Sequence, residues 1–261
     1  LGAILTRHHL PTPQILAAFA AAKHVYCEKP LAIHSGQLNQ IIKTLQREDQ
    51  PMLMLGFNRR FAPLAQQLKS FIDQRQEPLF ANYRINANVL PENHWLIDPE
   101  IGGGRIIGEA CHFIDFLTFL VGEIPIEVSA EGLPDDGKYH EDNVLIQLKY
   151  PDGSIGTVNY LANGDRAYSK EYLEVFSSGR IGVLHDWRKL EMISQGKRKV
   201  RQHLLRQNKG HQEAWQAFIE ALQGDKTPPI PYEQLISVTQ TTFAAVEALR
   251  SGEKIAISLP E

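Results

Sequence analysis

The sequence predicts an α/β protein in which a parallel sheet is followed by an α+β domain with a large, mostly antiparallel sheet. Two observations predict this fold class. Apolar runs alternate with helical segments as far as Phe57, which is typical of parallel βαβ units. From Leu79 onward, short runs with period-two alternation follow one another with few helices between them, as in antiparallel sheets. We therefore predict two domains, at residues 1–62 and 63–261.

The parallel part contains three apolar runs of strand length separated by two helical segments. The runs are LGAIL (1–5), HVYC (24–27) and PMLMLGF (51–57). The first helix is expected to have Thr12 as its N-cap and Pro13 at its first position, which are the favoured places for threonine and proline. The second helix places Leu38 and Ile41 at helical spacing, with Ser35 as its expected cap.

Strands dominate the second part of the chain. They are expected in LFANYRINA, IEVSAE, NVLIQLKY, SIGTVNYL, EYLEVFSS and IGVLHDW. The Asp152-Gly153 pair marks a hairpin turn between two of them. Helices are expected at Gly102–Gly122, in HQEAWQAFIEALQGD and in ISVTQTTFAAVEALRSG. Because these helices are too few to separate the strands into βαβ units, we expect them on one face of the sheet.

Composition and charge disfavour several classes of protein. The net charge is −3, and the chain has one local basic run at Gln195–His211. That run lacks the aromatic residues that stack on bases, which favours a solvated strand edge and loop over nucleic-acid binding. Two cysteines outside any CxxC pair fit a reducing compartment. No apolar run approaches the roughly 18 residues of a membrane span. We therefore expect a soluble, cytoplasmic protein that binds neither nucleic acid nor membrane.

Polar clusters follow all three predicted parallel strands. They are Thr6-Arg7-His8, Glu28-Lys29-Pro30 and Phe57-Asn58-Arg59-Arg60. Ligands of such sheets bind at the carboxyl ends of the strands, so these clusters are expected to converge on one edge. Lys29 is the first candidate for chemistry, because Pro30 fixes the turn beside it and Glu28 can hold its ammonium. The alternative is an exposed ion pair between Glu28 and Lys29, worth under about 1 kcal/mol.

His112 is the second candidate. On a helix it has Glu109 three residues before it and Asp115 three residues after it, and both can interact with it on neighbouring turns. A histidine beside a carboxylate has a pKa suited to general acid–base chemistry near neutrality. The alternative is a core histidine that is hydrogen-bonded to its surroundings. The glycine run Gly102–Gly104 before this helix would let the backbone approach a ligand closely, or would form a flexible lid or a turn.

Two other kinds of site are disfavoured. The histidines and cysteines near the strand ends lack the spacing of zinc ligands, so no metal is expected. The sequence also lacks the G-x-S-x-G elbow of a serine hydrolase.

Four motifs in series resemble the glucose–fructose oxidoreductase, inositol dehydrogenase and rhizopine-catabolism family (Gfo/Idh/MocA). The motifs are TRH (6–8), AAKHVYCEKPLAI (21–33), GFNRRFAP (56–63) and GGGRIIGEACHFID (102–115). The later stretch YPDGSIGTVNY (150–160) and the helical C-terminal part are similar to the second domain of that family. The resemblance covers essentially the whole chain. It implies that the parallel strands are the C-terminal part of a Rossmann-type sheet.

The resemblance implies an oxidoreductase that transfers a hydride between NAD or NADP and a carbinol of a sugar, cyclitol or nucleotide-sugar. Lys29 matches the family's active-site lysine, which polarises the reacting oxygen, and His112 matches its general acid–base. The residues then expected along the cofactor are Thr6, Arg7, His8, Glu28, Pro30 and Asn58. Those expected at the substrate are Arg59, Arg60, Arg105 and Trp95, although Trp95 is equally consistent with ordinary packing. The resemblance also implies a homo-oligomer, either a dimer or a tetramer.

Two departures from the family pattern bear on function. The position four residues before His112 is often aspartate in the family and is Gly108 here. Either Glu109 orients His112 or Lys29 instead, or the pocket is tuned for another substrate. A branch of the family carries a similar GGGRIIGE-type sequence. In addition, these residues contain no G-x-G-x-x-G turn, on which the pyrophosphate is expected to sit. The alternative function is therefore a sugar-binding and oligomerisation module that does not bind dinucleotide.

Overall fold

The computed structural model describes residues 1–47, 50–135, 137–202, 206–224 and 227–258. Its first sheet has three strands in the order β1-β2-β3. These are β1 (Gly2–Ile4), β2 (Val25–Cys27) and β3 (Leu53–Leu55). Both neighbouring pairs are parallel, which confirms the prediction for the first part of the chain. Strands β2 and β3 are buried throughout, as expected of a parallel sheet with helices packed against it.

The two helices of the parallel part begin differently from the prediction. They are α1 (Pro11–Ala20) and α2 (Ser35–Leu45). Thr12 does not cap α1, because its side chain is buried inside the first turn and its hydroxyl donates to the Leu31 carbonyl oxygen at 3.4 Å. The cap of α2 is His34, whose Nδ1 accepts from the Gln37 amide at 3.3 Å, so the prediction of Ser35 as cap was wrong.

The second sheet has nine strands in the order β11-β10-β9-β8-β4-β7-β6-β5-β12. The strands are β4 (Phe80–Asn86), β5 (Glu127–Gly132), β6 (Asn143–Lys149), β7 (Ile155–Leu161), β8 (Glu171–Ser177), β9 (Arg180–His185), β10 (Lys189–Ser194), β11 (Lys197–Gln202) and β12 (Ile255–Ala256). Strands β4 and β7 pair in parallel, and the other neighbouring pairs are antiparallel. The prediction of a large, mostly antiparallel sheet is therefore confirmed.

The basic run predicted as a solvated strand edge contains β11, the edge strand of this sheet. Every residue of β11 is exposed, and positive charge on an open edge discourages pairing with another chain. This confirms the prediction over residues 197–202, whereas residues 203–205 lie outside the described part of the chain.

Helices cover one face of the large sheet. They are α3 (Pro63–Ile72), α4 (Cys111–Val121) and α6 (Tyr232–Ser251). Helix α3 packs on β9 and β10, α4 packs on β7, and α6 packs on β5 and α4. A further helix, α5 (His211–Gln223), packs on the 3₁₀ turn Asn58–Phe61 that follows β3. Each large apolar side chain that becomes fully buried between these helices and the sheet stabilises the fold by roughly 1.5–3 kcal/mol.

One buried apolar cluster runs from the parallel sheet into the large sheet, with Leu55 and Phe116 among its members. The domain boundary at residues 62 and 63 stays a prediction. On the other face of the large sheet, Phe80 and Leu145 are 45% and 42% exposed. None of the described helices is both long enough and apolar enough to cross a membrane.

The helix predicted at Gly102–Gly122 begins with an irregular turn. Residues Ile106–Ala110 are π-helical, and the regular helix α4 follows. The C-cap of α4 is Gly122, whose φ is +91°. Single π turns inside helices are frequent at functional sites. This one contains Gly108 and Glu109, two of the residues that distinguish the motif.

Candidate active site

The structure brings the ends of the three parallel strands together. After β2, the Glu28 amide donates to the Ile4 carbonyl oxygen of β1 at 2.9 Å. After β3, the Gly56 amide donates to the Cys27 carbonyl oxygen at 2.7 Å. A Cβ at position 56 would lie 2.9 Å from Glu28 Oε1, so glycine at this position leaves room for the carboxylate. The polar clusters therefore share one edge of the sheet, as the sequence predicts.

Lys29 reaches from this edge to the second part of the chain. Its Nζ donates to the carbonyl oxygen of Gly108 in the π turn at 2.7 Å. The peptide bond between Lys29 and Pro30 is cis. Within the described residues Lys29 has no carboxylate within ion-pair distance, so the alternative ion pair with Glu28 is not formed. Because an ammonium carries three N–H groups, two of them remain for other partners.

His112 lies on α4, four residues beyond the carbonyl that Lys29 binds. Its side chain is half-buried against the Phe57 ring at a centroid distance of 6.0 Å. The Nδ1 atom is buried and has no hydrogen-bond partner among the described residues. Burial, followed by the positive charges of Arg59 and Lys29, holds the pKa of His112 well below its ordinary value. The imidazole is therefore neutral near pH 7.

The carboxylates expected beside His112 have other partners. Asp115 binds the guanidinium of Arg60, whose Nε donates to Asp115 Oδ2 at 3.1 Å. Burial raises the pKa of Asp115 to about 6, although Arg60 opposes the rise. Among the described residues, neither carboxylate forms a hydrogen bond with His112, and burial is the largest cause of the lowered pKa of His112.

Glu109 is bound by Arg105 and Tyr160 rather than by His112 or Lys29. Arg105 donates to Glu109 Oε2 from Nε at 3.1 Å and from Nη2 at 2.9 Å, and the Tyr160 hydroxyl donates to the same oxygen. Burial opposes ionisation of Glu109, but Arg105 and Tyr160 outweigh it and lower its pKa. The prediction that Glu109 orients His112 or Lys29 thus finds no hydrogen bond to support it among the described residues.

The three arginines expected at the substrate are buried in ion pairs. Arg59 is 6% exposed, and its Nε and Nη2 donate to the Glu171 carboxylate at 2.9 and 2.8 Å. Arg60 binds Asp115 and donates from Nη1 to the Gln234 side-chain oxygen at 2.8 Å. Both guanidinium groups are therefore paired with carboxylates of the protein, and their contact with a substrate stays a prediction.

Arg105 is also committed to the protein. Besides Glu109, it donates from Nη1 to the Asn88 carbonyl oxygen at 2.6 Å, and it is 2% exposed. Its guanidinium therefore holds Glu109 and the loop before the π turn. The expected contact of Arg105 with the substrate stays a prediction.

The residues predicted along the cofactor lie around the end of β1. Arg7 stands over the Trp95 ring at 6.0 Å, and the His8 ring meets Trp95 edge-on at 4.7 Å. The Thr6 hydroxyl is exposed and donates to the Gln14 side-chain oxygen at 2.8 Å. Trp95, which was expected at the substrate, thus sits beside two of the residues expected at the cofactor.

Asn58 and Pro30 are two further residues predicted at the cofactor, and both are buried. The Asn58 side-chain amide donates to the Lys209 carbonyl oxygen at 2.7 Å, while its Oδ1 is buried without a described partner. Asn58 therefore links the parallel sheet to the segment before α5.

The glycine run forms a turn that packs against the protein itself. A Cβ at Gly102 would lie 2.3 Å from the Leu96 backbone, and Gly103 and Gly104 have φ values of +76° and +77°. The amides of Gly102 and Gly103 both donate to the Asp98 carbonyl oxygen, at 2.8 and 3.1 Å. Of the interpretations left open by the sequence, the structure supports a turn over close approach to a ligand.

Sequence reasoning missed a buried cluster around Glu171, whose charge acts on His112. The Glu171 carboxylate accepts hydrogen bonds from Tyr83, Trp187 and Lys209 in addition to Arg59. Its partners lie as far as 112 residues away in sequence, so no local pattern could reveal them. Among the described residues, no group of three metal-binding side chains is arranged around a common point.

Comparison with known proteins agrees with this architecture. Residues 69–257, more than half of the chain, match the family model described as the oxidoreductase family, C-terminal alpha/beta domain (GFO_IDH_MocA_C). Myo-inositol 2-dehydrogenase from Thermotoga maritima is 26% identical over 264 residues, covering 95% of this chain and 76% of that enzyme. Inositol 2-dehydrogenase from Salmonella typhimurium is 38% identical over 111 residues, covering 41% of this chain and 31% of that enzyme.

A solved structure of levoglucosan dehydrogenase in complex with NADH and levoglucosan has the same fold. Its TM-score is 0.83 at 20% identity, and the match covers 98% of this chain and 80% of that one. The fold and the match of the family model place the chain among the oxidoreductases. It belongs to the Gfo/Idh/MocA family. The segments matched in the curated relatives range from less than a third to about three quarters of those enzymes' length.

Proposed function

We propose that this chain carries the catalytic residues of an NAD(P)-dependent dehydrogenase that acts on a carbinol of a sugar or cyclitol. The observation that carries the proposal is the convergence of Lys29 and His112 on one stretch of helix, residues 108–112, beside the carboxyl ends of the parallel strands. The names of the relatives, which include inositol and levoglucosan dehydrogenases, support this substrate class.

The residues present fit the nicotinamide end of a dinucleotide. Glu28, Asn58 and His8 surround the strand ends where ligands of such sheets bind. Two buried polar atoms there, Asn58 Oδ1 and His112 Nδ1, lack described protein partners, which is uncommon for buried polar groups and fits a site that binds a ligand nearby. The glycine-rich turn that would hold the pyrophosphate is not among these residues, so the proposed fit concerns the nicotinamide end.

When bound, the nicotinamide would supply the hydride acceptor or donor. Lys29 would donate a hydrogen bond to the reacting oxygen from one of the two N–H groups that Gly108 leaves free. His112, held neutral by burial, would accept the hydroxyl proton during oxidation and return it during reduction. The protein thus positions the carbinol and manages its proton.

Glu109 is proposed to bind a substrate hydroxyl. The bonds from Arg105 and Tyr160 all go to Oε2, and the Glu109 side chain is 27% exposed, which leaves Oε1 for a ligand. A carboxylate is a strong acceptor for the hydroxyls of a polyol. This contact would contribute to binding in the ground state as well as in the transition state.

Glu109→Gln is therefore expected to raise KM for the polyol by roughly 10-fold or more, because a hydrogen bond to a charged group contributes about 1.5–3 kcal/mol. Steady-state kinetics at saturating cofactor would measure KM and kcat separately. Tyr160→Phe is the matched control, since it removes one donor to Oε2 and keeps the carboxylate charge. An unchanged KM in Glu109→Gln, from a sample with normal thermal unfolding, would exclude the hydroxyl contact.

The function itself is tested by titrating NADH and NADPH against the chain while following nicotinamide fluorescence. Reduction of NAD⁺ or NADP⁺ is then assayed with myo-inositol and levoglucosan as first substrates. Micromolar binding together with turnover of a polyol would support the dehydrogenase. A folded sample that binds neither cofactor up to millimolar concentration would contradict turnover by these residues alone and favour the sugar-binding and oligomerisation module.

A further inference from the structure

The backbone at Gly108 is enclosed by two side chains from outside its helix. A Cβ at position 108 would lie 2.6 Å from Leu96 Cδ1, 2.8 Å from His8 Cε1 and 2.9 Å from His8 Nδ1. The imidazole of His8 therefore occupies the space in which any side chain at position 108 would begin. Gly108 and His8 form a matched pair, because a larger residue at one position requires a smaller residue at the other.

His8 is held firmly in that space. Its Nδ1 lies 2.8 Å from the Gly102 carbonyl oxygen, which can only accept, so Nδ1 carries the proton. The edge-on contact with Trp95 restrains the ring from a second direction. Burial and the nearby charge of Lys29 lower the pKa of His8 to about 4, so the ring is neutral near pH 7. A buried, neutral and doubly restrained imidazole is suited to fixing the position of a neighbouring group.

The neighbouring group is the carbonyl that holds Lys29. Gly108 O accepts from Lys29 Nζ at 2.7 Å, and Gly108 belongs to the irregular π turn, where the backbone departs from regular helical hydrogen bonding. We propose that His8 is a positioning residue of the active site, whose ring fixes the Gly108 peptide and thereby the ammonium of Lys29. This rests on the proposed function for the role of Lys29, and it gives His8 a task distinct from cofactor binding.

The experiment measures the reactivity of Lys29 directly. The Lys29 amine is labelled with acetic anhydride in the folded chain, and peptide mass spectrometry gives its labelling rate from pH 7 to 10. In His8→Ala the rate is expected to rise about fivefold, the factor that corresponds to losing one ordinary hydrogen bond of about 1 kcal/mol. His9→Ala is the matched control, because His9 contacts the same loop through the Ile101 carbonyl oxygen, whereas the nearest atoms to a Cβ at Gly108 belong to Leu96 and His8.

The matched pair supplies a second readout. Gly108→Ala alone is expected to lower the unfolding temperature, because its methyl group meets both the imidazole of His8 and Leu96 Cδ1. Combining it with His8→Ala should recover the part of that loss due to the imidazole, which two independent sites would not do. If His8→Ala does not fold, His8→Asn carries the labelling test, since it keeps a neutral side chain and removes the ring.

A Lys29 labelling rate in the folded His8 variant equal to that of the His9 control would overturn the proposal. If that variant also bound NADH more weakly, His8 would be a cofactor ligand instead. Labelling requires no turnover, so a rise in rate in a protein that transfers no hydride would support the positioning role while the proposed function failed.

Discussion

Lys29→Ala is expected to lower kcat for hydride transfer by about 10²–10³-fold, the usual effect of removing one donor that stabilises charge on a reacting oxygen. Among the described residues, one side-chain hydrogen bond holds the ammonium between the parallel sheet and the π turn, from Nζ to Gly108 O at 2.7 Å. Removing it breaks no ion pair among the described residues, so the fold should be retained. Stopped-flow measurement of nicotinamide absorbance would give the rate of the chemical step.

Lys23→Ala provides the control for this experiment, since Lys23 is an exposed lysine just beyond α1. Both variants should unfold at the temperature of the unmodified protein and bind NADH equally well. Turnover in Lys29→Ala equal to that in the control would show that another group polarises the oxygen. A fall in NADH affinity without a fall in kcat would instead move Lys29 to the cofactor.

The fold could be predicted from the sequence because its signals are local. The apolar runs of β2 and β3 and the alternation along β6 and β7 are each contained within a few residues. The helix caps failed for the opposite reason. Threonine is a favoured cap residue, but Thr12 is buried against the connection between β2 and α2. Its hydroxyl therefore donates to the Leu31 carbonyl oxygen rather than accepting from the helix amides.

The convergence of the strand ends could also be predicted, because it follows from the topology of parallel sheets. Lys29 and His112 were picked out by their motifs, and their roles stay predictions. The partners of Arg59 and Arg60 could not be predicted, because Glu171 and Asp115 are 112 and 55 residues away from them in sequence. The roles of these arginines therefore depend on tertiary contacts that spacing rules do not describe.

The π turn is another feature without a local signal. The motif GGGRIIGE indicates a helix start, yet the structure inserts a wider turn at Ile106–Ala110. The neighbours that make glycine necessary at position 108 are Leu96 and His8. His8 lies close to the beginning of the sequence, far from Gly108. A motif can therefore mark the site without revealing which contact each of its residues serves.

Glu171→Ala is expected to destabilise the fold by about 3–5 kcal/mol, the usual cost of removing one partner from a buried ion pair. Glu171 is 1% exposed, and its carboxylate accepts from Arg59, Tyr83 at 2.5 Å, Trp187 at 2.7 Å and Lys209 at 2.7 Å. Alanine would leave the buried guanidinium of Arg59 and the ammonium of Lys209 without a counter-charge. The free energy of unfolding in urea at pH 7 would measure the loss.

Glu191→Ala is the matched control, because Glu191 also binds three basic side chains. These are Lys189 at 2.6 Å, His185 at 3.1 Å and Arg198. Its partners are 35–59% exposed, so the change should cost less than about 1 kcal/mol. Equal losses in the two variants would show that burial of the partners does not determine the strength of the Glu171 cluster.

The charge of Glu171 also makes its contribution depend on pH. Burial opposes ionisation, but Arg59 and Lys209 outweigh it and hold the pKa of Glu171 well below its ordinary value. The folded protein therefore binds fewer protons at this group than the unfolded chain does, so the stabilisation is complete above the unfolded glutamate pKa of about 4.3. It is lost as the pH falls through the folded pKa. The gap in stability between the unmodified protein and Glu171→Gln should consequently narrow on acidification, and a gap that stays constant from pH 7 to pH 3 would mean that hydrogen-bond geometry, rather than charge, is what Glu171 supplies.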